Sequence, residues 1–353
     1  MASSTALPRR EIRRTGVHLT TLGFGAAPIA GLYQAVDETT ARATIDTAWE
    51  GGIRYFDTAP HYGLGLSERR LGEALRDRLR DDVVVSSKVG RLLVPRTPPV
   101  ARDDELFDVP GDLTRRRDYS RDGILRSLEA TLQRTGLDHV DVLYVHDPDE
   151  HWREAAEEAV PALVELREAG VVGAIGVGMN QSEMLARFIR QTDVDVVMLA
   201  GRYTLLEQGA ADDLLPTALE QGRSVVAAAV FNSGLLAHEE VPDTATYDYR
   251  QASPDMLGRA RLLATVCREH GTTLPAAAIH FPLRHPAVAA SWWACGAPRR
   301  YTTTLPRTPG TCPVSCGPIS NTEVSCGPSG EGTGNVESTG AADQRSVVTA
   351  PVI

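Results

Sequence analysis

The segment "RYFDTAPHYGLGLSERRLGEAL", from Arg54 to Leu75, decides the fold. A short apolar stretch ends in a carboxylate, Asp57, and Tyr62 follows five residues later in a glycine-rich loop before a helix-like run. Neither Asp57 nor Tyr62 stands where a hydrophobic core would require it. Because functional side chains commonly lie in loops held by a rigid framework, the segment predicts a functional site at the end of a strand.

The alternation of short apolar runs with amphipathic, helix-like runs extends from about residue 18 to residue 290. The apolar runs are mostly Val, Ile and Leu without strict alternation, which is typical of strands buried on both faces of a parallel sheet. Several helix-like runs finish at Gly, a common helix stop. This pattern predicts a right-handed βα series. The predicted strands are Thr21–Gly25, Arg54–Phe56, Val83–Ser87, Val140–Val145, Ala174–Val177, Val194–Leu199 and Ser224–Ala229.

A closed barrel and an open doubly wound sheet share this alternation, but the distribution of polar residues separates them. The segment "GFGAAPIAG" lacks the G-x-G-x-x-G turn that an open dinucleotide-binding sheet carries after its first strand. Polar residues instead follow strand after strand, as in barrels, whose chemistry collects at the C-terminal ends of many strands. These residues are Asp57, Lys88, His146, Asn180, Arg202 and Asn232. A (β/α)8 TIM barrel is therefore favoured over the open sheet.

Composition and charge exclude several classes of partner. The formal net charge is −10, from 36 basic and 46 acidic residues, so the field of the protein would repel phosphate backbones and we expect no nucleic-acid partner. The N-terminal segment has no apolar run of the length that a signal peptide needs, and nowhere are there about 18 consecutive apolar residues that could span a membrane. Cys267 is the only cysteine before residue 291, the usage expected of a reducing compartment. We therefore expect a cytoplasmic protein without a membrane segment.

Four residues at the predicted strand ends could together move one proton. A phenol is a poor base at neutral pH because its pKa is near 10, unless its anion is stabilised. The Lys88 ammonium would stabilise the Tyr62 anion, and Asp57 would hold the ammonium in place. His146 would orient a substrate oxygen beside the phenol. Singly, these residues could be a turn cap, a solvated lysine or a core histidine, but their shared placement favours a joint function.

The segments that carry these residues resemble the signatures of the aldo-keto reductase family over roughly residues 17 to 290: "GIRYFDTAPHYGLGLSERRLGEAL", "VVVSSKVG", "DVLYVHDPD" and "GAIGVGMN". Within the family, "HDPDEHW", "LAGRYTLLEQ" and "FNSGLLA" resemble the branch of L-fucose and D-threo-aldose 1-dehydrogenases and pyridoxal 4-dehydrogenase. The resemblance implies a (β/α)8 barrel that binds NAD or NADP across its C-terminal face. It makes Tyr62 the general acid/base, Lys88 the group that lowers its pKa, Asp57 the partner of Lys88, and His146 the residue that orients the substrate.

The resemblance also assigns residues to the cofactor. Asn180 would hold the nicotinamide carboxamide, and Tyr203 would stack on the nicotinamide ring, with a core aromatic as the alternative. Met179 stands where many relatives carry a serine, which removes one hydrogen-bonding hydroxyl. The loop after the seventh strand would surround the pyrophosphate, and it consists of Phe231, Asn232, Ser233, Gly234 and Leu235.

The resemblance implies oxidation at C1 of a cyclic aldose to a lactone, with a small sugar or aldehyde as substrate. Two alternatives stay open: an NADPH-dependent reductase of aldehydes, ketones or pyridoxal, and a cofactor-binding regulatory or inactive member. The group formed by His146, Asp147, Asp149 and His151 does not match zinc-ligand spacings, so no metal is expected. The sequence leaves the choice of NAD or NADP, the sugar and the oligomeric state open.

Two segments depart from the βα pattern. The connection from Gly90 to Asp122 is too long for an ordinary βα loop and is rich in Pro and charge, so it is predicted as a loop over the barrel mouth. Beyond His285 the chain is rich in Gly, Pro, Ser, Thr and Cys without helical or strand period, a composition typical of disorder. We therefore divide the chain into a barrel of residues 1–290 and a tail of residues 291–353.

The tail is where the family would place its eighth strand and C-terminal helix, and both are expected to be lost or altered here. Such a loss would leave the first and seventh strands with unpaired edges. One hypothesis is translation in a shifted reading frame, in which Trp293 and Ala294 become Val and Gly. A natural low-complexity tail is the alternative.

Overall fold

The computed structural model describes residues 6–294. In this part of the chain the strands are β1 Arg9–Glu11, β2 His18–Thr20, β3 Leu22–Gly25, β4 Tyr55–Asp57, β5 Val84–Val89, β6 Arg91–Val100, β7 Gly111–Arg117, β8 Val142–His146, β9 Ala174–Met179, β10 Val196–Ala200, β11 Ser224–Ala228, β12 Thr246–Tyr247, β13 Arg250–Gln251 and β14 Val288–Ala294. The α-helices are α1 Glu38–Glu50, α2 Leu66–Leu75, α3 Arg121–Thr135, α4 Trp152–Glu154, α5 Val160–Glu168, α6 Ser182–Gln191, α7 Leu214–Glu220, α8 Pro254–Glu269 and α9 Leu274–His280. None of these helices combines the length and apolar character needed to cross a membrane.

Eight of the strands close into a parallel barrel. Its members are β3, β4, β5, β8, β9, β10, β11 and β14, each paired with its neighbour in chain order, and β14 pairs with β3 to close the ring. Residues of β8, β9, β10 and β11 are buried throughout, which explains their continuous apolar sequence. The predicted (β/α)8 barrel is confirmed, and all seven predicted strands are present.

The helices begin and end where the sequence provides capping residues. The Asp37 carboxylate accepts a hydrogen bond from the Thr40 N–H at 2.8 Å and so caps α1, which buries Ala41, Ile45 and Ala48 against the barrel. The hydroxyls of Ser120 and Ser253 cap α3 and α8 in the same way. Because all eight barrel strands are parallel, the connections between them return the chain to the N-terminal end of the barrel, and the C-terminal ends of the strands lie at one face.

The expectation that the eighth strand is lost is wrong. Residues Val288–Ala294 form β14, which pairs in parallel with both β11 and β3, so neither of those strands has an unpaired edge here. The predicted boundary at residue 290 falls inside this strand. The sequence "VAASWWA" lacks a run of β-branched residues. Pairing with β3 and β11, rather than local propensity, therefore specifies this strand. The C-terminal helix and most of the proposed frameshifted stretch lie outside the described residues.

Trp292 fills the barrel interior at this closure. Its side chain is 5% exposed, and its ring meets the Tyr55 ring edge-on with centroids 5.3 Å apart. Gly23 provides the room, because a Cβ at that position would lie 2.9 Å from the Tyr55 ring and 3.2 Å from the Trp292 ring. The eighth strand is therefore packed as well as paired.

The long connection after β5 is a β-hairpin, not the predicted irregular loop. Strands β6 and β7 pair antiparallel from Arg91 opposite Arg117 to Val100 opposite Gly111. The prolines of β6 made this segment resemble a loop in the sequence. Proline cannot donate a hydrogen bond, but a two-stranded hairpin outside the barrel tolerates it at positions that need no donor to the partner strand. The loop between β6 and β7 buries Phe107 beside Tyr62, with ring centroids 6.2 Å apart, so the hairpin lies over the end of the barrel that carries Tyr62.

Replacing Trp292 by Ala should lower the free energy of unfolding by about 3–5 kcal/mol, because it leaves a large cavity between β14, β3 and β4. Urea denaturation followed by circular dichroism measures the change. The exposed Leu79, at 74% exposure, provides a matched control, and Leu79→Ala should shift stability by no more than about 0.5 kcal/mol. Equal effects of the two substitutions would contradict the placement of β14 in the barrel.

Candidate active site

Asp57, Lys88 and Tyr62 meet at the C-terminal end of the barrel. Asp57 is the last residue of β4, and Lys88 lies one residue before the end of the adjacent β5. The Lys88 Nζ donates hydrogen bonds to the Tyr62 hydroxyl at 2.9 Å and to the Thr58 carbonyl at 3.1 Å, and it forms an ion pair with the Asp57 carboxylate. All three side chains are at most 1% exposed.

Local backbone geometry returns Tyr62 to the strand end. Gly63 and Gly65 both have positive φ, at +57° and +80°, a conformation that glycine adopts without penalty. At Gly63 a side chain would also collide with the Ala30 carbonyl. The Ser86 hydroxyl donates a 2.7 Å hydrogen bond to Asp57 Oδ1, which leaves Oδ2 directed at Lys88. The glycines of the opening segment therefore serve to place one phenol.

Burial dominates the electrostatics of this group. It raises the pKa of Tyr62 well above its usual value, and the charges of Asp57 and Asp147 raise that pKa further. Burial also raises the pKa of Asp57 to about 6, although the positive charge of Lys88 opposes this rise. Burial lowers the pKa of Lys88, and the negative charge of Asp57 opposes this fall. The resemblance implied a lowered tyrosine pKa, whereas in the protein alone the desolvated phenol keeps its proton at neutral pH.

His146 completes the group. It is the last residue of β8, its ring is perpendicular to the Tyr62 ring with centroids 6.0 Å apart, and it is 1% exposed. The Tyr119 hydroxyl donates a 2.7 Å hydrogen bond to the His146 carbonyl oxygen and so fixes the end of β8. The four residues predicted from separate segments therefore lie together.

Sequence reasoning missed two aromatic neighbours of this group. The His61 ring lies 5.6 Å from the His146 ring and 5.3 Å from the Phe107 ring, centroid to centroid. Burial and the charges of Arg91 and Arg115 lower the pKa of His61 well below its usual value, so this ring is neutral at physiological pH. His61 directly precedes Tyr62, and Phe107 is the lone aromatic residue of an acidic stretch; these were the available signals.

A buried ion pair was missed as well. Arg91, the first residue of β6, pairs with Asp147, which follows His146, and their side chains are 3% and 1% exposed. A second buried pair joins Arg115 of β7 to Asp103 at 2.5 Å, and Arg115 also donates to the His61 carbonyl at 2.8 Å. The Arg91–Asp147 ion pair and the hydrogen bond from Arg115 to His61 therefore hold the hairpin against the end of the barrel. The sequence did not reveal them because their partners are distant along the chain.

Polar atoms suited to a carboxamide lie at the ends of β9 and β11. Asn180 follows β9, and its Oδ1 is buried without a hydrogen-bond partner among the described residues, as are Gln181 Oε1 and Asn232 Oδ1. Buried acceptors without partners are costly, which indicates that a ligand supplies the missing donors. The amide N–H groups of a nicotinamide carboxamide are such donors, so the residues present fit the expected cofactor.

The loop after β11 has an unusual backbone. Asn232, Ser233 and Gly234 all have positive φ, and the Cβ position of Gly234 faces open space. The Ser233 Oγ accepts a 3.2 Å hydrogen bond from the Tyr249 N–H. Leu235, in contrast, is fully buried in the core, and its N–H donates to the Asn232 carbonyl at 3.2 Å, so it anchors the loop.

The remaining predicted cofactor residues have mixed surroundings. Tyr203 is 8% exposed, and its ring packs at 5.3 Å from Phe281 and 6.2 Å from His285, centroid to centroid, so it is anchored in the core on one side. Phe231 is also 8% exposed. Within residues 6–294, no group of three or more His, Cys, Asp or Glu side chains is arranged to hold a metal ion.

Comparison with known proteins identifies the family. The model of the aldo/keto reductase family matches residues 21–303. D-threo-aldose 1-dehydrogenase from a Pseudomonas species is 48% identical over 273 residues, which cover 76% of this chain and 83% of that protein. Pyridoxal 4-dehydrogenase from Microbacterium luteolum is 38% identical over 303 residues, which cover 81% of this chain and 88% of that protein.

Solved structures agree on the fold. A glycerol dehydrogenase from Gluconobacter oxydans superposes with a TM-score of 0.67 at 22% identity, covering 84% of this chain and 88% of that one. The holo form of an aldo-keto reductase from Bacillus halodurans gives a TM-score of 0.65 at 22% identity, covering 84% and 89%. The barrel, the sequence relatives and the family model lead to one conclusion: the chain belongs to the aldo/keto reductase family and is an NAD(P)-dependent oxidoreductase acting on CH–OH or carbonyl groups.

Proposed function

We propose that the protein oxidises C1 of a cyclic aldose to a lactone, with Tyr62 as the group that accepts the hydroxyl proton. The observation that carries the proposal is the hydrogen bond of Lys88 Nζ to the Tyr62 hydroxyl, formed by a lysine that also pairs with Asp57. The choice of an aldose is supported by the 48% identity to D-threo-aldose 1-dehydrogenase. The reduced product of the cofactor is NADH or NADPH.

The proton and the hydride leave from the same carbon–oxygen unit. When bound, NAD(P)+ supplies the acceptor for the C1 hydride. The anomeric O–H proton passes to the Tyr62 oxygen, and the C1–O bond becomes the lactone carbonyl. Positive charge favours the phenolate that must first form, and Lys88 provides that charge at 2.9 Å while Asp57 fixes the lysine.

The other residues bind and orient. The ring of His146, perpendicular to Tyr62, donates a hydrogen bond that directs the substrate oxygen toward the phenol. Asn180 holds the nicotinamide carboxamide, and Tyr203 supports the nicotinamide ring from its anchored position. The loop of Phe231, Asn232, Ser233, Gly234 and Leu235 surrounds the pyrophosphate, with Leu235 anchoring it in the core. Phe107 covers Tyr62 and helps to exclude water.

A reductase of aldehydes is the second candidate, and one observation favours it. Burial raises the pKa of Tyr62, so the phenol carries the proton that reduction of a carbonyl consumes. Because pyridoxal 4-dehydrogenase is 38% identical to this chain, pyridoxal is a further substrate to test. The two directions are distinguished by the absorbance of reduced nicotinamide, with aldose and NAD(P)+ in one assay and aldehyde and NADPH in the other.

Replacing Tyr62 by Phe should lower kcat for aldose oxidation by about 10²–10⁴-fold, because the proton acceptor is removed. NADPH binding, measured by fluorescence titration, should be unchanged. Tyr144→Phe provides the control, since Tyr144 is equally buried in the barrel and bonds only to Tyr55, at 3.3 Å, among the hydrogen bonds described. Full activity of Tyr62→Phe would refute the assignment.

The rate of aldose oxidation should rise with pH in two ranges. Below about pH 6 Asp57 is protonated, its charge no longer stabilises Lys88, and activity falls. Above that range the rate continues to rise, because burial raises the pKa of Tyr62 and the fraction of phenolate that oxidation needs grows with pH. The pH profile of kcat/KM measures both limbs. A profile that is flat from pH 5 to pH 9 would contradict this electrostatic account.

A further inference from the structure

The residue after His146 has a strained backbone. Asp147 has a φ of +44°, in the left-handed region that non-glycine residues seldom adopt. Two contacts hold it there: its N–H donates to the Gly178 carbonyl at 3.0 Å, and its carbonyl shares the Tyr119 hydroxyl proton with the His146 carbonyl, at 2.8 Å and 2.7 Å. Such strain, retained by surrounding structure, is a pointer to a functional site.

The strain aims the Asp147 carboxylate at the catalytic group. Its Oδ2 lies 3.5 Å from His146 Nε2 and forms the ion pair with Arg91. Arg91 Nη1 in turn lies 3.4 Å from the Nδ1 of His61, whose ring centroid is 6.0 Å from that of Tyr62. The charge of Asp147 also raises the pKa of Tyr62 and of Tyr249, so it acts on the phenols around the reaction centre.

We propose that Arg91 and Asp147 form a hydroxyl-binding subsite that recognises the C2 hydroxyl of an aldose, next to the reacting C1. The inference rests on the proposed function and deepens it. A carboxylate accepts the O–H of an alcohol, and a guanidinium donates to its oxygen. The side chains of Arg91 and Asp147 are 3% and 1% exposed, similar to Tyr62 and His146 at 1% each. In the proposed function Tyr62 and His146 contact the substrate at this degree of burial, so burial does not prevent Arg91 and Asp147 from contacting it as well.

The subsite favours hydroxylated substrates over simple aldehydes. When a substrate lacks the hydroxyl, the buried polar groups of Arg91 and Asp147 lose a hydrogen-bond partner. Sites that bind a substrate hydroxyl in this way strongly reject the analogue without it. The ring of Phe107, 6.2 Å from that of Tyr62, offers an apolar contact that does not require a hydroxyl. Selectivity for a hydroxylated carbon therefore resides in Arg91 and Asp147.

The first experiment changes the substrate. 2-Deoxy-D-ribose is D-arabinose without its C2 hydroxyl, so the wild-type enzyme should oxidise D-arabinose with kcat/KM about 100-fold higher, as lost charge-assisted hydrogen bonds imply. Values within roughly threefold would overturn the subsite while the proposed function stands. Failure to oxidise D-arabinose, L-fucose and 2-deoxy-D-ribose alike would overturn both.

The second experiment changes the enzyme. Asp147→Asn keeps the shape of the side chain, and Asn tolerates the left-handed backbone. Its kcat/KM for D-arabinose should fall about 30-fold while that for 2-deoxy-D-ribose changes by less than about threefold, so the discrimination between the two sugars collapses. Equal losses for both sugars would show a merely structural role and overturn the proposal.

Asp103→Asn is the matched control for Asp147→Asn. Asp103 also forms a buried ion pair with an arginine of the hairpin, Arg115, and it does not contact the catalytic group in the described contacts. The ratio of the two kcat/KM values should stay at the wild-type level in this variant. If Asp147→Asn does not fold, as judged by circular dichroism, the comparison of the two sugars on the wild-type enzyme decides the question alone.

Discussion

One buried ammonium group determines the arrangement of the site. Lys88 is fully buried, and burying a charge is costly unless partners compensate it. Asp57, Tyr62 and the Thr58 carbonyl provide that compensation, and they reach Lys88 only because β4 and β5 are adjacent and parallel. The phenol to which we assign the proton transfer is thus held by the same contacts that compensate the buried charge of Lys88. In the proposed function, catalysis and the stability of this end of the barrel therefore depend on the same interaction.

The barrel supplies that adjacency, and the hairpin completes the surroundings. Parallel strands bring residues from distant segments to one face, so Asp57, Lys88 and His146 meet although up to 89 positions separate them along the chain. The β6–β7 hairpin then brings Phe107 against Tyr62 and Arg91 against Asp147. The hairpin consequently brings both an aromatic ring and a buried ion pair to the end of the barrel that carries Tyr62.

Much of this architecture could be predicted from the sequence. Continuous Val, Ile and Leu runs identified seven strands, and the polar residues that end them identified Asp57, Lys88 and His146, the three residues grouped with Tyr62. The eighth strand was missed because "VAASWWA" gains its conformation from β3 and β11 rather than from its own propensity. Arg91 and His61 were missed because their neighbours depend on the hairpin, whose prolines resembled a loop. The raised pKa of Tyr62 also required the structure, because burial, its largest cause, cannot be judged from the sequence.

The account as a whole requires that Lys88 act through its charge on Tyr62. The most direct measurement is kcat for aldose oxidation by the Lys88→Met variant, which keeps the length and apolar stem of the side chain but removes the ammonium. The account predicts a loss of at least about 100-fold, with thermal unfolding and NADPH binding showing that the variant folds and binds cofactor. A folded, cofactor-binding variant with kcat within a few-fold of the wild type would contradict it.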